Sequence, residues 1–209
     1  MSQSERNKRL RLIVKKLNKQ RKRQATKVDI LCNDIVGAQR EFLRRLDAIS
    51  FTARFYKGLL GAADLRTLIV RATRLIREEL PGTAVVFFLR QGGGCESHAI
   101  AEDLASRSDG VRLEEHFTPE LAATVCKSNR PCTMEDLFGM GLDGNRKALN
   151  GLSAATVPLN DLGRSLGFVL LSRPVEQPLD GHDLERTSLI VCGLSQAIQG
   201  CGMPQHARR

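Results

Sequence analysis

No proline interrupts residues 5–60, and the only glycines there are Gly37 and Gly58. A stretch that long without a breaker reads as helix, and its apolar residues say of what kind. Leu10, Val14, Leu17, Val28, Leu31, Ile35, Ala38 and Phe42 fit one frame of alternating four- and three-residue spacings, in which Arg21 and Gln24 also fall. Beyond Phe42 the frame continues through Leu46, Ile49, Ala53, Tyr56 and Leu60 after two successive spacings of four, a stutter. A seam kept this long predicts a coiled coil, most simply a parallel homodimer joined through Val28, Leu31, Ile35, Ala38, Phe42, Leu46 and Ile49. The alternative, an amphipathic helix lying on its own domain, leaves so long a helix with too little domain to cover it.

Charge divides the helix further. Residues 1–27 hold eleven Lys or Arg against one acid, Glu5, a balance of +10, so the other 182 residues sum to about −1 within the chain's total of +9. The basicity therefore belongs to an arm and not to the globular part. Lys15, Lys16, Lys19, Arg21, Lys22 and Arg23 repel one another, so the arm is expected to fray when alone. It would attract an acidic partner, nucleic acid or an anionic membrane face. There is no Trp, and Tyr56 is the single Tyr, which argues against a platform for stacking bases. The expected organisation is a basic arm over 1–27, a coiled-coil helix over 28–57, a domain over 58–199 and a disordered tail over 200–209.

Six cysteines, Cys32, Cys95, Cys126, Cys132, Cys192 and Cys201, include no CxxC pair, and no export signal precedes them. Reduced thiols in a cytoplasmic protein are the expectation. No apolar run approaches the roughly 20 residues that span a bilayer.

The domain itself opens after Gly58 and Gly61. Asp64 caps a helix whose apolar face is Leu65, Leu68, Ile69, Ala72, Leu75 and Ile76, and Pro81-Gly82 stops it. Residues 83–90 are a continuous apolar run and predict a central strand; residues 95–102 predict a second strand paired to it, and residues 105–110 a turn. Thr118-Pro119-Glu120 starts a helix that ends at Ser128-Asn129. Residues 132–136 read as a short extended piece and 139–150 as a mobile loop or a short irregular helix. Residues 151–174 form the plainest hairpin in the chain, two branched apolar runs joined by Asn160-Asp161-Leu162-Gly163. A last helix opens at Asp180-Gly181-His182-Asp183 and carries Leu184, Leu194 and Ile198. Helix, two strands, helix, short strand, hairpin and helix describe an α+β domain, an antiparallel sheet flanked by helices.

Three spacings invite chemistry. Cys95-x-x-His98 is half of a metal site, and no second pair completes it. Cys126 and Cys132 flank a turn and are candidates for a redox-switched disulfide, against the commoner fate of small buried thiols. Gln91-Gly92-Gly93-Gly94 is glycine-rich but opens no helix, so it reads as a strand connection and not a phosphate cradle.

The order of these blocks resembles the GAF family of small sensory domains over residues 56–199. The first helix and Val85-Val86-Phe87-Phe88-Leu89 are similar to that family's opening. Leu121-Ala122-Ala123-Thr124-Val125, Asn129-Arg130-Pro131 and Glu135-Asp136 resemble its helix, turn, G-R-P and following D. Ala155-Thr156-Val157-Pro158-Leu159 with Gly163-Arg164-Ser165-Leu166-Gly167-Phe168-Val169-Leu170 resembles its V-P-L … G-V-L hairpin, and Leu179 with Asp183-Leu184-Glu185 its closing segment. A PAS-type domain is the rival, and the closing helix favours GAF.

The resemblance implies a regulatory, non-catalytic protein with a small-molecule pocket between the sheet and a loop-helix face, dimeric helices carrying the change, and a separate output protein. The expected ligand-binding residues are Glu135, Asp136, Leu137 and Phe138 from the short strand and loop, with Phe88, His98, Ser153 and Leu170 from the sheet. Arg173-Pro174 stands near where cyclic-nucleotide-binding members carry Asn-Lys, and Glu120-Leu121-Ala122-Ala123 lacks the thiol of the methionine sulfoxide reductase branch. No cofactor is named by the sequence. The second reading is a ligand-free scaffold whose basic helix docks an acidic partner or nucleic acid.

Overall fold

A computed structural model of the chain describes residues 3–91, 94–99, 112–144 and 149–202. It divides into two units, Met1–Ile49 and Ser50–Arg209. The first unit is helix from Gln3 onward, the basic arm included. The seam residues Val28, Leu31, Ile35, Phe42, Leu46 and Ile49 are between 46% and 65% exposed. Ala38 is exposed with them.

In the second unit α1 (Gln3–Leu59) ends one residue past the expected break at Gly58. Here its buried residues are Phe51, Phe55 and Leu59, while Ala53 and Leu60 of the extended seam stay exposed. Tyr56 of the same seam is half-buried and packs against the core.

Two more long helices follow. Asp64 caps α2 (Leu65–Glu79), its Oδ1 accepting from the Thr67 N–H at 2.8 Å. α2 buries Leu68, Ile69, Ala72 and Ile76. The closing helix, α5 (Gly181–Gly202), buries Ile190, Leu194 and Ile198. Tyr56 fastens α5 to α1: its OH donates to the Leu189 carbonyl at 3.3 Å and accepts from the Gly193 N–H at 3.3 Å.

The sheet has the order β2-β1-β5-β4-β3, all neighbours antiparallel. β1 (Ala84–Gln91) is an interior strand, and Val85 to Leu89 are all buried, which is why its sequence is apolar without alternation. β2 is Gly94–Ala99, and residues 100–102 of the expected second strand lie outside the described residues, as does the turn at 105–110. β4 (Leu152–Asp161) and β5 (Arg164–Pro174) form the expected hairpin, turning at Leu162 and Gly163, both with positive φ.

The other face of the sheet carries short elements. A 3-10 turn at Leu113–His116 leads to α3 (Pro119–Ser128), capped by Thr118 and ended by Asn129 at φ 50. The extended piece expected over 132–136 is a strand only at β3 (Cys132–Thr133). α4 (Met134–Gly139) begins at once, because Thr133 and Asp136 form a reciprocal capping box that the sequence reading missed. Residues 145–148 of the expected loop and 203–209 of the expected tail lie outside the described residues.

Alternation along the strands sorts the core into two clusters. Phe87, Leu89, Val157, Leu159, Val169 and Leu171 meet α1, α2 and α5. Val86, Phe88, Ala154, Phe168 and Leu170 meet the short elements. The fold is α+β, an antiparallel sheet flanked by helices and preceded by a long N-terminal helix.

Candidate functional site

The expected pocket residues do not share one space. Phe88, Leu137 and Leu170 lie in the same cluster on the short-element face, with Phe138 packed against it. That cluster is filled by side chains. The Phe88 ring stacks on Phe168 at 4.6 Å between centroids and 13° between planes, and Phe117 tilts against both. Asp136 is used locally: its carboxylate accepts from the Thr133 N–H at 2.9 Å and from Arg130 Nη2 at 2.7 Å. The Arg130 bond, ahead of those from Thr133, holds its carboxyl down to about 2. Glu135 is exposed.

His98 and Ser153 stand on the opposite face. His98 pairs across the sheet with Phe87, whose side chain belongs to the long-helix cluster. Ser153 lies four residues before Val157 of that same cluster, and its Oγ accepts from the Leu179 N–H at 2.9 Å. A single pocket lined by all eight residues is therefore ruled out by strand alternation. The same alternation sends Cys95 and His98 to opposite faces of β2, so their i, i+3 spacing makes no half-site there.

Among the described residues, an open space lies elsewhere, at the end of the short-element face. A cavity of about 510 Å³ is bounded by α3, by the β1–β2 end and by the tip of the β4–β5 hairpin. Pro119, Ala123, Cys126 and Lys127 line it from α3, and Arg90 and Cys95 from the strands. Asn160, Gly163, Arg164 and Ser165 line it from the hairpin, with Asn129 below α3. Local structure explains the convergence. Asn129 holds the left-handed conformation that ends α3, and its Oδ1 accepts from Asn160 Nδ2. Register places Arg90 opposite Cys95, and Asn160 opposite Ser165 after a bulge at Leu159/Asn160.

Three of the lining side chains are cations, Arg90, Lys127 and Arg164, and no carboxylate lines the cavity. Among the described residues none of the three makes an ion pair. In two further lining residues, Ser165 and Asn160, the Oγ and Oδ1 atoms are closed to solvent and have no hydrogen-bond partner. Cys95 Sγ and Cys126 Sγ stand 3.8 Å apart on its wall. Burial first, and then the neighbouring Cys126, push the Cys95 thiol up to about 11, partly offset by the positive charge of Arg90. Spacing offered Cys126 with Cys132 as a candidate pair, against the commoner fate of buried thiols, and both are buried. Cys132 stands beside Ser128 Oγ at 3.3 Å, and Cys126 of α3 meets Cys95 of β2, a partner that spacing could not show.

No family model matches the chain, and no curated protein matches it. Solved structures do. The GAF domain of a phosphoenolpyruvate-protein phosphotransferase from Coxiella burnetii aligns at TM-score 0.55 and 13% identity, over 74% of this chain and 94% of that one. The chain carries the GAF fold. The GAF domain of the Acinetobacter phosphoenolpyruvate-protein phosphotransferase aligns at 0.52 and 11% identity over 73% and 93%. Residues 122 to 287 of a methyl-accepting chemotaxis protein align at 0.52 and 14% over 75% and 99%. At these identities the likeness is one of GAF architecture, and the site must be argued from this chain's own residues. The cavity's residues carried faint signals: Arg90 ends an apolar run, and Arg164 and Asn129 stand at turns. Strand register and the packing of α3 bring them together.

Proposed function

We propose that this is a non-catalytic GAF-type sensory or regulatory protein. It binds a small molecule in its domain and signals as a homodimer through the coiled coil of α1 to a separate output protein. The observation that carries this reading is the pair of stripes on α1. Phe51, Phe55 and Leu59 are buried in the domain core, while the seam from Val28 to Ile49 is exposed in the single chain. An exposed apolar seam kept in heptad register is costly unless a second helix covers it. A helix rooted in the core on one side and free on the other can pass a change in the domain to a partner helix. That requires only a ligand with different affinity for two helix arrangements.

The test is native mass spectrometry of gently purified full-length protein beside sedimentation of a Leu31→Lys/Ile35→Lys variant. A dimer carrying a stoichiometric small mass, converted to a folded monomer by the variant, is the expected result. A monomeric parent protein removes the coiled coil.

The filled Phe88–Phe117–Phe168 cluster favours the second reading, a ligand-free scaffold whose basic helix docks an acidic partner or nucleic acid. Under it the dimer carries no extra mass, and partner capture is lost when Lys15, Lys16, Lys19, Lys22 and Arg23 are neutralised. Among the described residues, no helix is long and apolar enough to cross a membrane.

A further inference from the structure

We propose that the cavity between α3, the β1–β2 end and the hairpin tip is a binding site for a phosphoryl dianion, free or carried on a small organic molecule. Arg90, Lys127 and Arg164 reach it from three separate elements, with no carboxylate among its lining residues. Like charges gathered around a concave surface repel one another, and an anion in their midst relieves that repulsion. Lys127 alone has another explanation, since a cation in the last turn of α3 complements the helix dipole. Arg90 and Arg164 stand on strands, where no such benefit exists.

The second observation is independent of charge. Ser165 and Asn160 are half-buried lining residues whose Oγ and Oδ1 are turned away from solvent and have no partner. A buried polar atom left unpaired is unfavourable unless something else satisfies it. Once the side chains turn toward the cavity, the hydroxyl can donate to a phosphoryl oxygen and the amide oxygen can accept from a hydroxyl of the organic remainder.

Ligand class follows from charge and size. A monocarboxylate would leave two of the three positive charges uncompensated, whereas a phosphomonoester with a second pKa of about 6 is close to dianionic at neutral pH. Two guanidinium forks suit tetrahedral oxygens in bidentate pairs. A volume of about 510 Å³ exceeds what one phosphate fills and falls in the range of small-molecule pockets. The remainder would lie against Pro119, Ala123 and the Cys95–Cys126 wall.

The site deepens the ligand-binding half of the reading above, and the two fail separately. A dimer with no phosphate response loses this site and keeps its coiled coil; a monomer with the response does the reverse. The experiment is thermal unfolding of the full chain with glycerol 3-phosphate, with orthophosphate, and with chloride at matched ionic strength. Ligand at tenfold over its Kd should raise Tm by about 3 °C or more. Arg90→Gln and Arg164→Gln alter exposed side chains, and each should weaken the affinity about tenfold through a lost charge-assisted bond, so that at the same ligand concentration the rise falls to about a third. Lys15→Gln/Lys16→Gln/Lys19→Gln in the arm should leave it intact.

A larger rise with glycerol 3-phosphate identifies an organic phosphate, and equal rises identify free phosphate as the source. A rise no greater than that of chloride overturns the proposal. So does a rise that survives Arg90→Gln and Arg164→Gln, or one given only by a single-stranded oligonucleotide and lost in the arm variant.

Discussion

Alternate residues of β1 and β5 go to opposite faces, Phe87 and Val169 to one, Phe88 and Phe168 to the other, yet only one face is closed by long helices. There, α2 and α5 lie on the strands, and the stripe Phe51, Phe55 and Leu59 of α1 joins the same cluster. On the other face the cover is a 3-10 turn, a ten-residue helix and a six-residue helix. Every helix end leaves backbone groups that the helix itself cannot pair, so short helices bring many ends to a small area. The caps at Thr118, Asn129, Thr133 and Asp136 answer that need. Their cost is that polar chain ends cannot close over the sheet as a side-chain stripe does. The gap left between them is the cavity.

The most damaging substitution should abolish the contrast by striking the strand that both faces share. Gly167 has φ +141, and a Cβ there would lie 1.8 Å from the Phe88 carbonyl oxygen. The neighbour is backbone inside a paired strand, so relief requires β1 and β5 to part. Gly167→Ala is expected to cost about 4 kcal/mol or more. Urea unfolding that matches the parent protein would mean that β1 and β5 do not approach in this register.

A second substitution should separate the faces. Glu79 of α2 accepts from Arg186 of α5 at 2.5 Å and Arg54 of α1 at 3.3 Å, and Arg186 lies 6.0 Å over the Phe51 ring. Both the Glu79 and Arg186 side chains are close to buried, though Arg54 is largely exposed. Glu79→Gln leaves a cation half-stranded, at about 2 kcal/mol, between the values for exposed and fully buried pairs. Stability should fall while the Tm response to glycerol 3-phosphate, measured as a difference, stays unchanged. A lost response would show the two faces coupled.

This difference between faces also governs what could be read from sequence. The apolar stripe of α2, the apolar β1 and the 151–174 hairpin were legible because each is a periodic pattern within one element. Thr118 and Asp64 were legible as caps, being local chemistry. The buried stripe Phe51, Phe55 and Leu59 was missed because a second pattern, the seam, runs along the same helix and masked it. α4 was missed because six residues carry too little periodicity to outweigh an extended reading. The candidate site was largely illegible. His98 and Ser153 have the chemistry of site residues, but their face is set by register. Arg90, Lys127 and Arg164 are separated by 37 residues or more; strand pairing makes Arg90 and Arg164 neighbours, and the packing of α3 on the sheet adds Lys127.

A smaller effect is expected at the cavity rim. Leu162 is fully exposed with φ 45, a conformation that a branched apolar side chain resists. Nothing packs on it to offset the strain. Leu162→Asn places Asn-Gly at the turn, the pair best suited to two positive φ values. The gain should be about 1 kcal/mol, seen as a higher urea midpoint at unchanged slope. A loss instead would mean that the exposed leucine is held by a contact outside the single chain.

The finest distinction between the faces is the Cys95 thiol, pushed up to about 11 by burial and by Cys126. Folding holds its proton more tightly than the unfolded chain does. The stability this contributes is whole below the ordinary thiol pKa and is lost as pH rises toward 11. Iodoacetamide labelling mapped by mass spectrometry should show Cys95 reacting with a midpoint near pH 11, with exposed Cys32 and Cys192 as internal standards of reagent activity. Cys126→Ala removes the neighbouring thiol but not the larger cause, burial. The midpoint should therefore fall and yet stay above the ordinary thiol range. A fall all the way to that range would show Cys95 to be solvated, and the wall of the cavity open where the structure closes it.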